Sequence, residues 1–179
     1  MNGNLKIPYG VSDFKRLRSE GYYFVDKSMY IRTLELCGSF LFFVRPRRFG
    51  KSLFLSMLRC YYDIAEKENF DALFGDLDIG REPTEYRNRY QVLVLDFSQV
   101  NICEGKTLQE RFDNYMRVQL RLFLMKYSAD YGEEFEREMP NASGMSLFSA
   151  IVGFAKHKGF HLYLMLDEYD NFTNAMLRA

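Results

Sequence analysis

The sequence predicts a three-layer α/β fold built on a mainly parallel sheet, and three observations predict it. Apolar runs of strand length stand at Phe40-Leu41-Phe42-Phe43-Val44, at Gln91-Val92-Leu93-Val94-Leu95-Asp96-Phe97 and at residues 160–166. Stretches with apolar residues three and four apart separate them, so helices alternate with strands. The first run leads into Arg45-Pro46-Arg47-Arg48-Phe49-Gly50-Lys51-Ser52 and the third ends on Asp167-Glu168. Strands that are apolar throughout are those of a parallel sheet covered on both faces, and such sheets bind ligands at the carboxyl ends of their strands.

Composition sets the bounds. A chain of 179 residues with 47% hydrophobic and 17% aromatic residues is the size of one ordinary domain and can bury a real core. No apolar run approaches the roughly 20 residues of a membrane-spanning helix. The polar opening Met1-Asn2-Gly3-Asn4 lacks the shape of a signal peptide, and both point to the cytoplasm. Cys37, Cys60 and Cys103 are widely spaced without metal-ligand spacing and read as reduced thiols. With 24 basic and 24 acidic residues the net charge is zero, which excludes a global field drawing the chain onto nucleic acid or an anionic membrane. Locally, Arg45, Arg47, Arg48 and Lys51 fall within seven residues, while acidic residues crowd positions 63–85.

In chain order, Pro8 to Gly10 marks a turn, and a short helix follows with Ser12 as its N-cap and Phe14 and Leu17 on its buried side. Gly21 ends it, and a second helix covers residues 27–36. This lead segment enters the core from the side where apolar and aromatic side chains often meet a nucleotide base. Tyr9, Phe14 and Tyr23 are therefore candidates for an adenine contact, or else packing residues at the sheet edge. The strand at 40–44 comes next, then the loop, then a helix over residues 51–64 with Leu53, Met57, Leu58 and Tyr61 near the spacing of a buried face. Residues 67–90 are polar and broken by Gly75, Gly80 and Pro83, which predicts a surface excursion. Asp96, near the end of the second strand, either looks into the site or closes a strand-end turn. A core helix covers 107–131, 133–139 extends or follows it, and a further helix covers 145–157, stopped by Gly159 ahead of the third strand. His157 and His161, with no ligand-spaced partners, read as structural.

The order strand, short loop, Gly50-Lys51-Ser52, helix is that of a phosphate-binding loop. Backbone N–H groups and the partial positive charge of a helix N-terminus favour phosphate there. Lys51 would reach the β- and γ-phosphates, and the Ser52 hydroxyl would complete the coordination of Mg²⁺. Arg47, Arg48, Phe49, Gly50, Lys51, Ser52 and Leu53 are the candidate binding residues. A buried strand closing on an acidic pair supplies the rest: Asp167 on the metal side with Ser52, and Glu168 as the general base for an attacking water, with Lys51 as the other catalytic candidate. The alternative for the acidic pair is to cap the helix that follows. Arg47 and Arg48 would clamp phosphates, contact a nucleic-acid backbone, or pair internally with Asp26, Asp96 or Asp170. The fold expected is thus a P-loop NTPase core over residues 40–179, with a lead segment, 1–39, packed on it. Three strands are visible where such a core usually has five, so the chain is expected to be the N-terminal part of a longer protein, its core incomplete at the C-terminus.

The strings Ile7-Pro8-Tyr9-Gly10, Asp13-Phe14, Val25-Asp26-Lys27-Ser28, Arg45-Pro46-Arg47-Arg48-Phe49-Gly50-Lys51-Ser52, Val94-Leu95-Asp96-Phe97-Ser98 and Leu166-Asp167-Glu168-Tyr169-Asp170 together resemble the predicted AAA-ATPase-like family. Its members are similar in carrying an arginine, here Arg45, at the first-glycine position of the standard loop. The resemblance implies an ATPase with ATP and Mg²⁺ as cofactors, Lys51 and Ser52 at the phosphate and metal positions, and Asp167 and Glu168 in the acidic roles. It also implies continuation into a C-terminal domain similar to PD-(D/E)XK nucleases. Three functions follow as expectations: a Mg²⁺-dependent ATP-binding domain whose intact parent hydrolyses ATP to drive a conformational change; a non-hydrolysing nucleotide- or anion-binding interaction module; and a DNA-binding accessory to the nuclease-like domain, using Arg45, Arg47 and Arg48. Self-association through an exposed sheet edge is a further expected contact, and a membrane is not.

Overall fold

The computed structural model describes residues 6–44, 46, 48–100, 107–138 and 142–169. They form a mixed α/β structure in two compact units, Met1–Arg89 and Tyr90–Ala179.

The first unit is helical. It contains α1 (Phe14–Ser19), α2 (Tyr30–Glu35), α3 (Lys51–Tyr62), a 3₁₀ segment at Ile64–Asn69, α4 (Phe70–Phe74) and α5 (Asp78–Arg81). Helix α1 starts one residue later than expected, because the Asp13 carboxylate, not Ser12, accepts from the Arg16 N–H at 2.7 Å. Phe14 and Leu17 are fully buried, as their spacing predicts. The Phe14 ring meets Phe24 edge-on at 5.4 Å and Phe74 at 5.0 Å. Helix α2 is shorter than residues 27–36, with Ile31 as its buried residue.

Two expectations fail in this unit. Residues 67–90 are not a surface excursion: Phe70, Leu73, Phe74, Leu77 and Ile79 are buried, Phe74 and Ile79 completely. Helices α4 and α5 run for five and four residues, too short to show a 3.6-residue period among the charges, so the segment reads as polar while its apolar positions form core. Residues 40–44 form no strand. Phe40, Phe42 and Val44 are 98%, 73% and 73% exposed, while Phe43 stacks on Phe54 of α3 with ring centroids 5.2 Å apart. A strand exists by virtue of a neighbouring strand, and the sheet among the described residues has two strands, neither of them this run. Aromatic packing on a helix takes the place of the ladder.

The second unit holds β1 (Gln91–Asp96), a 3₁₀ turn at Phe97–Gln99, α6 (Leu108–Lys126), α7 (Ser128–Glu138), α8 (Gly144–Lys158) and β2 (Leu162–Asp167). The two strands pair in parallel, from Gln91 opposite Leu162 to Asp96 opposite Asp167. Helices α6 and α8 cover one face through Leu93, Leu95, Met116, Leu120, Phe123, Leu147 and Ile151. Thr107 and Glu110 close a capping box at the start of α6. The expected single helix over 107–131 breaks at Tyr127, whose φ of −111° and ψ of 31° leave the helical region. The break has a use: the Tyr127 hydroxyl accepts from the Val92 N–H at 2.8 Å, and Tyr131 donates to Gln91 Oε1 at 2.8 Å, fixing the start of β1. Burial pushes the Tyr131 phenol up to about 12. Gly144 opens α8 against α6, where an added Cβ would stand 2.5 Å from that of Met116.

Phe74→Ala is expected to lower stability by about 3–5 kcal/mol in urea unfolding; a loss below about 0.5 kcal/mol would return residues 70–79 to the surface. Cysteine accessibility divides equally clearly. Cys37 is exposed and Cys60 is buried, its thiol pushed by burial up to about 11. Alkylation of the folded protein, mapped by mass spectrometry, is expected to label Cys37 and spare Cys60 until denaturant is added.

Candidate functional site

The basic loop ends in a strained turn. Arg48 holds φ at 67°, and Gly50, the N-cap of α3, sits in the left-handed region at φ 75° and ψ 23°. The Phe49 N–H donates to the Pro46 carbonyl at 3.3 Å, and the first helical bond runs from the Phe54 N–H to the Gly50 carbonyl at 3.0 Å. The N-cap of this 12-residue helix, Gly50, offers no side-chain cap, and its first turn holds no acidic residue. Helices α1, α6 and α8 are capped by Asp13, Thr107 and Ser143, whereas the shorter α2, α4 and α5 have no side-chain cap either. An uncapped helix start without a carboxylate is the arrangement that receives an external anion. Arg48, Phe49 and Ser52 are exposed around it, and Lys51 and Leu53 are half-buried. Arg45 and Arg47 lie outside the described residues.

The remainder of α3 is fixed from the lead segment. One turn beyond Ser52, the Ser56 hydroxyl accepts from the Phe14 N–H at 2.9 Å, and Arg59 pairs with Asp13 at 3.3 Å. Ser56 escaped the sequence reading, although its place four residues after Ser52 on one helix was visible. Phe14 is not a base contact: a ring with no exposed surface, enclosed by Phe24 and Phe74, cannot meet a ligand. Tyr9 and Tyr23 remain accessible, 97% and 52% exposed. Asp26 takes backbone partners: its carboxylate accepts from the Ser28 and Asp78 N–H groups, both at 2.8 Å. Partial burial works against the charge, but these hydrogen bonds outweigh it and hold the carboxyl below its usual range.

The acidic pair lies in the second unit, at the carboxyl end of β2. Asp167 stands opposite Asp96 in the parallel register, so both carboxylates leave the same face of the sheet at its carboxyl end. Asp96 closes the strand-end turn, accepting from the Ser98 N–H at 3.0 Å and the Ser98 hydroxyl at 2.7 Å. Asp167 accepts from the Glu168 N–H at 3.0 Å. Glu168 itself has φ at 51°. Among the described residues three non-glycines adopt positive φ: Arg48, Asn88 and Glu168. Asparagine tolerates that region, and Asn88 is held there by its amide donating to the Asp63 carbonyl at 2.7 Å. Arg48 and Glu168 have no such tolerance, and strain of this kind gathers at functional sites. Asp170 and Cys103 lie outside the described residues. His157 and His161 are exposed.

The first unit thus carries a basic loop that opens a helix, and the second a parallel strand pair with acidic residues at its carboxyl end. The chain belongs to the AAA-ATPase-like family, described as predicted AAA-ATPase, whose model matches residues 8–179. It is also similar to the "Uncharacterized protein in vnfD 5'region" of Azotobacter chroococcum mcd 1, with 30% identity over 114 residues. That match covers 63% of this chain and 21% of the relative, so the chain spans about a fifth of the relative's length. No solved structure matches. No helix among the described residues is long and apolar enough to cross a membrane.

Gly50→Ala puts a Cβ into open space but forces a side chain into the left-handed region. The expected loss is about 1–2 kcal/mol, read as a lowered thermal midpoint with the circular dichroism of the folded state unchanged; an unaltered midpoint would show that the turn carries no such demand.

Proposed function

We propose that this chain is a Mg²⁺-dependent ATP-binding domain of P-loop NTPase type, with a lead segment over residues 1–39 and a partial core over 40–179. In the intact protein, ATP hydrolysis drives a conformational change. The observation that carries the reading is the start of α3: a 12-residue helix with no acidic residue in its first turn, whose N-cap is left-handed Gly50, opening directly onto Lys51 and Ser52. Family membership supports a nucleotide as the anion.

The residues fit the ligand's chemistry. Amides of Gly50, Lys51, Ser52 and Leu53 point along the helix start toward a phosphate, and Lys51 adds a positive point charge. Arg48 and Phe49 border the same turn, and Arg47 precedes them in the sequence. Mg²⁺, when bound, screens the phosphate oxygens; Ser52 and Asp167 are the protein oxygens assigned to it. Among the described residues no three His, Cys, Asp or Glu side chains form a metal-holding cluster, and Mg²⁺ at nucleotide sites needs no more than one or two protein oxygens beside those of phosphate. Glu168 orients the attacking water and accepts its proton, a task for a carboxylate at hydrogen-bond distance.

Isothermal titration with Mg²⁺-ATP tests the assignment. Wild-type protein is expected to bind, and Lys51→Ala to lose binding by a hundredfold or more without loss of fold; equal affinity in the two proteins would refute the loop as the site. Glu168→Gln is expected to retain binding and to stop phosphate release by the intact protein, whereas undiminished turnover would remove Glu168 from the reaction.

A further inference from the structure

Helix α6 is apolar on two sides. Its core side carries Tyr115, Met116, Leu120, Phe123 and Leu124, all buried. Val118, Leu122 and Met125 lie on another side and are 47%, 55% and 64% exposed. They stand at i, i+4 and i+7, the spacing that lines side chains up along one side of a helix. A helix that only covers a sheet needs one apolar stripe with polar residues opposite, so the packing of the second unit gives these three no use. Contiguous exposed apolar groups mark a surface that meets a partner.

Spacing indicates the partner's form. Successive steps of four and three residues are the d, a and d positions of a heptad, whose side chains enter the holes of a facing helix. Met125 adds an unbranched side chain that adapts its shape to what it meets. Charge indicates the partner's chemistry. In that heptad Arg121 takes the g position and Lys126 the e position, the two that pair with charges of a facing helix, and both are exposed. From Asn114 to Lys126 the helix carries Arg117, Arg121 and Lys126 and no acidic residue. The acidic residues before that serve helix starts: Glu110 closes the capping box with Thr107, and Asp113 accepts from the Gly144 N–H at 2.7 Å. A second copy of this helix fits poorly. In either orientation its basic e and g residues meet basic ones, and such like-charge contacts suppress pairing.

We infer that the stripe formed by Val118, Leu122 and Met125 docks an amphipathic helix of a partner protein, one with an apolar seam and acidic residues on its flanks. Burial of the seam supplies the attraction, and carboxylates opposite Arg121 and Lys126 select the partner.

Fluorescence anisotropy of the whole chain with two synthetic helical peptides of about three heptads tests the inference. Both peptides carry leucine at a and d; one carries glutamate at e and g, the other lysine. The glutamate peptide is expected to bind, and the lysine peptide to bind roughly tenfold more weakly or less. Leu122→Ser is expected to weaken the glutamate peptide about tenfold or more, with the circular dichroism of the folded state unchanged. The charge-reversed variant Arg121→Glu/Lys126→Glu is expected to turn the preference toward the lysine peptide. Equal binding of the two peptides by the wild type, or an affinity for the glutamate peptide that survives Leu122→Ser, would overturn the inference. A wild-type chain that ignores both peptides would overturn it as well. Phosphatidylserine vesicles bound through Leu122 in place of either peptide would make the stripe a membrane surface instead. A dimer in sedimentation equilibrium that Leu122→Ser dissolves would make it a contact between copies and refute the acidic partner.

Discussion

Burial of Phe14 is the constraint on which the first unit depends. Its ring fills the space between Phe24 and Phe74, and its N–H reaches the Ser56 hydroxyl of α3. A single residue thus joins three parts: the lead segment, α3, and the short helices that follow it. Surrounding polar contacts repeat the connection. Lys15 pairs with Glu66 at 2.8 Å, Arg18 with Asp76, and Arg32 with the Glu82 carbonyl. Each of these pairs has at least one partner open to solvent and contributes little energy singly, so the aromatic core holds the unit. The N-terminus of α3 needs this support, because a helix start without its own cap is costly unless a ligand satisfies it.

The second unit solves a different problem. A parallel pair of strands cannot be closed by a hairpin and takes its register from its surroundings. Here the helix break at Tyr127 places two tyrosines and Asp130 around the start of β1. Gln91 is gripped from both sides of its amide, donating to Asp130 at 2.8 Å and accepting from Tyr131 at 2.8 Å. Fixing that end fixes the other, since register runs unbroken for six residues to Asp96 and Asp167. The positions of the two carboxylates at the carboxyl end of the sheet are therefore set from its opposite end.

Legibility in the sequence follows element length. Helix α8 was placed within one residue at each end, and β1 within one, because α8 shows its period over its whole length and β1 is a compact, continuous apolar run. Short elements failed: α4 and α5 hide their apolar positions among charges, and Asp13 rather than Ser12 caps α1 because both are good caps and only geometry selects one. The run at 40–44 has strand composition, but pairing is a tertiary property that no five-residue window contains. At the candidate site, the start of α3 at Lys51 was legible from Gly50-Lys51-Ser52. The left-handed backbone at Arg48 and Glu168 was not, since neither residue type favours it. The opposition of Asp96 and Asp167 also needed the register, and the exclusion of Phe14 from ligand contact needed the neighbours that bury it.

The central claim is that the uncapped start of α3 holds phosphate through its own amides. Backbone amide chemical shifts, followed by NMR as Mg²⁺-ATP is added, test it most directly. The account predicts that the largest shifts fall on Gly50, Lys51, Ser52 and Leu53, and that they are lost in Lys51→Ala. Nucleotide-induced shifts that leave those four amides unmoved would contradict it.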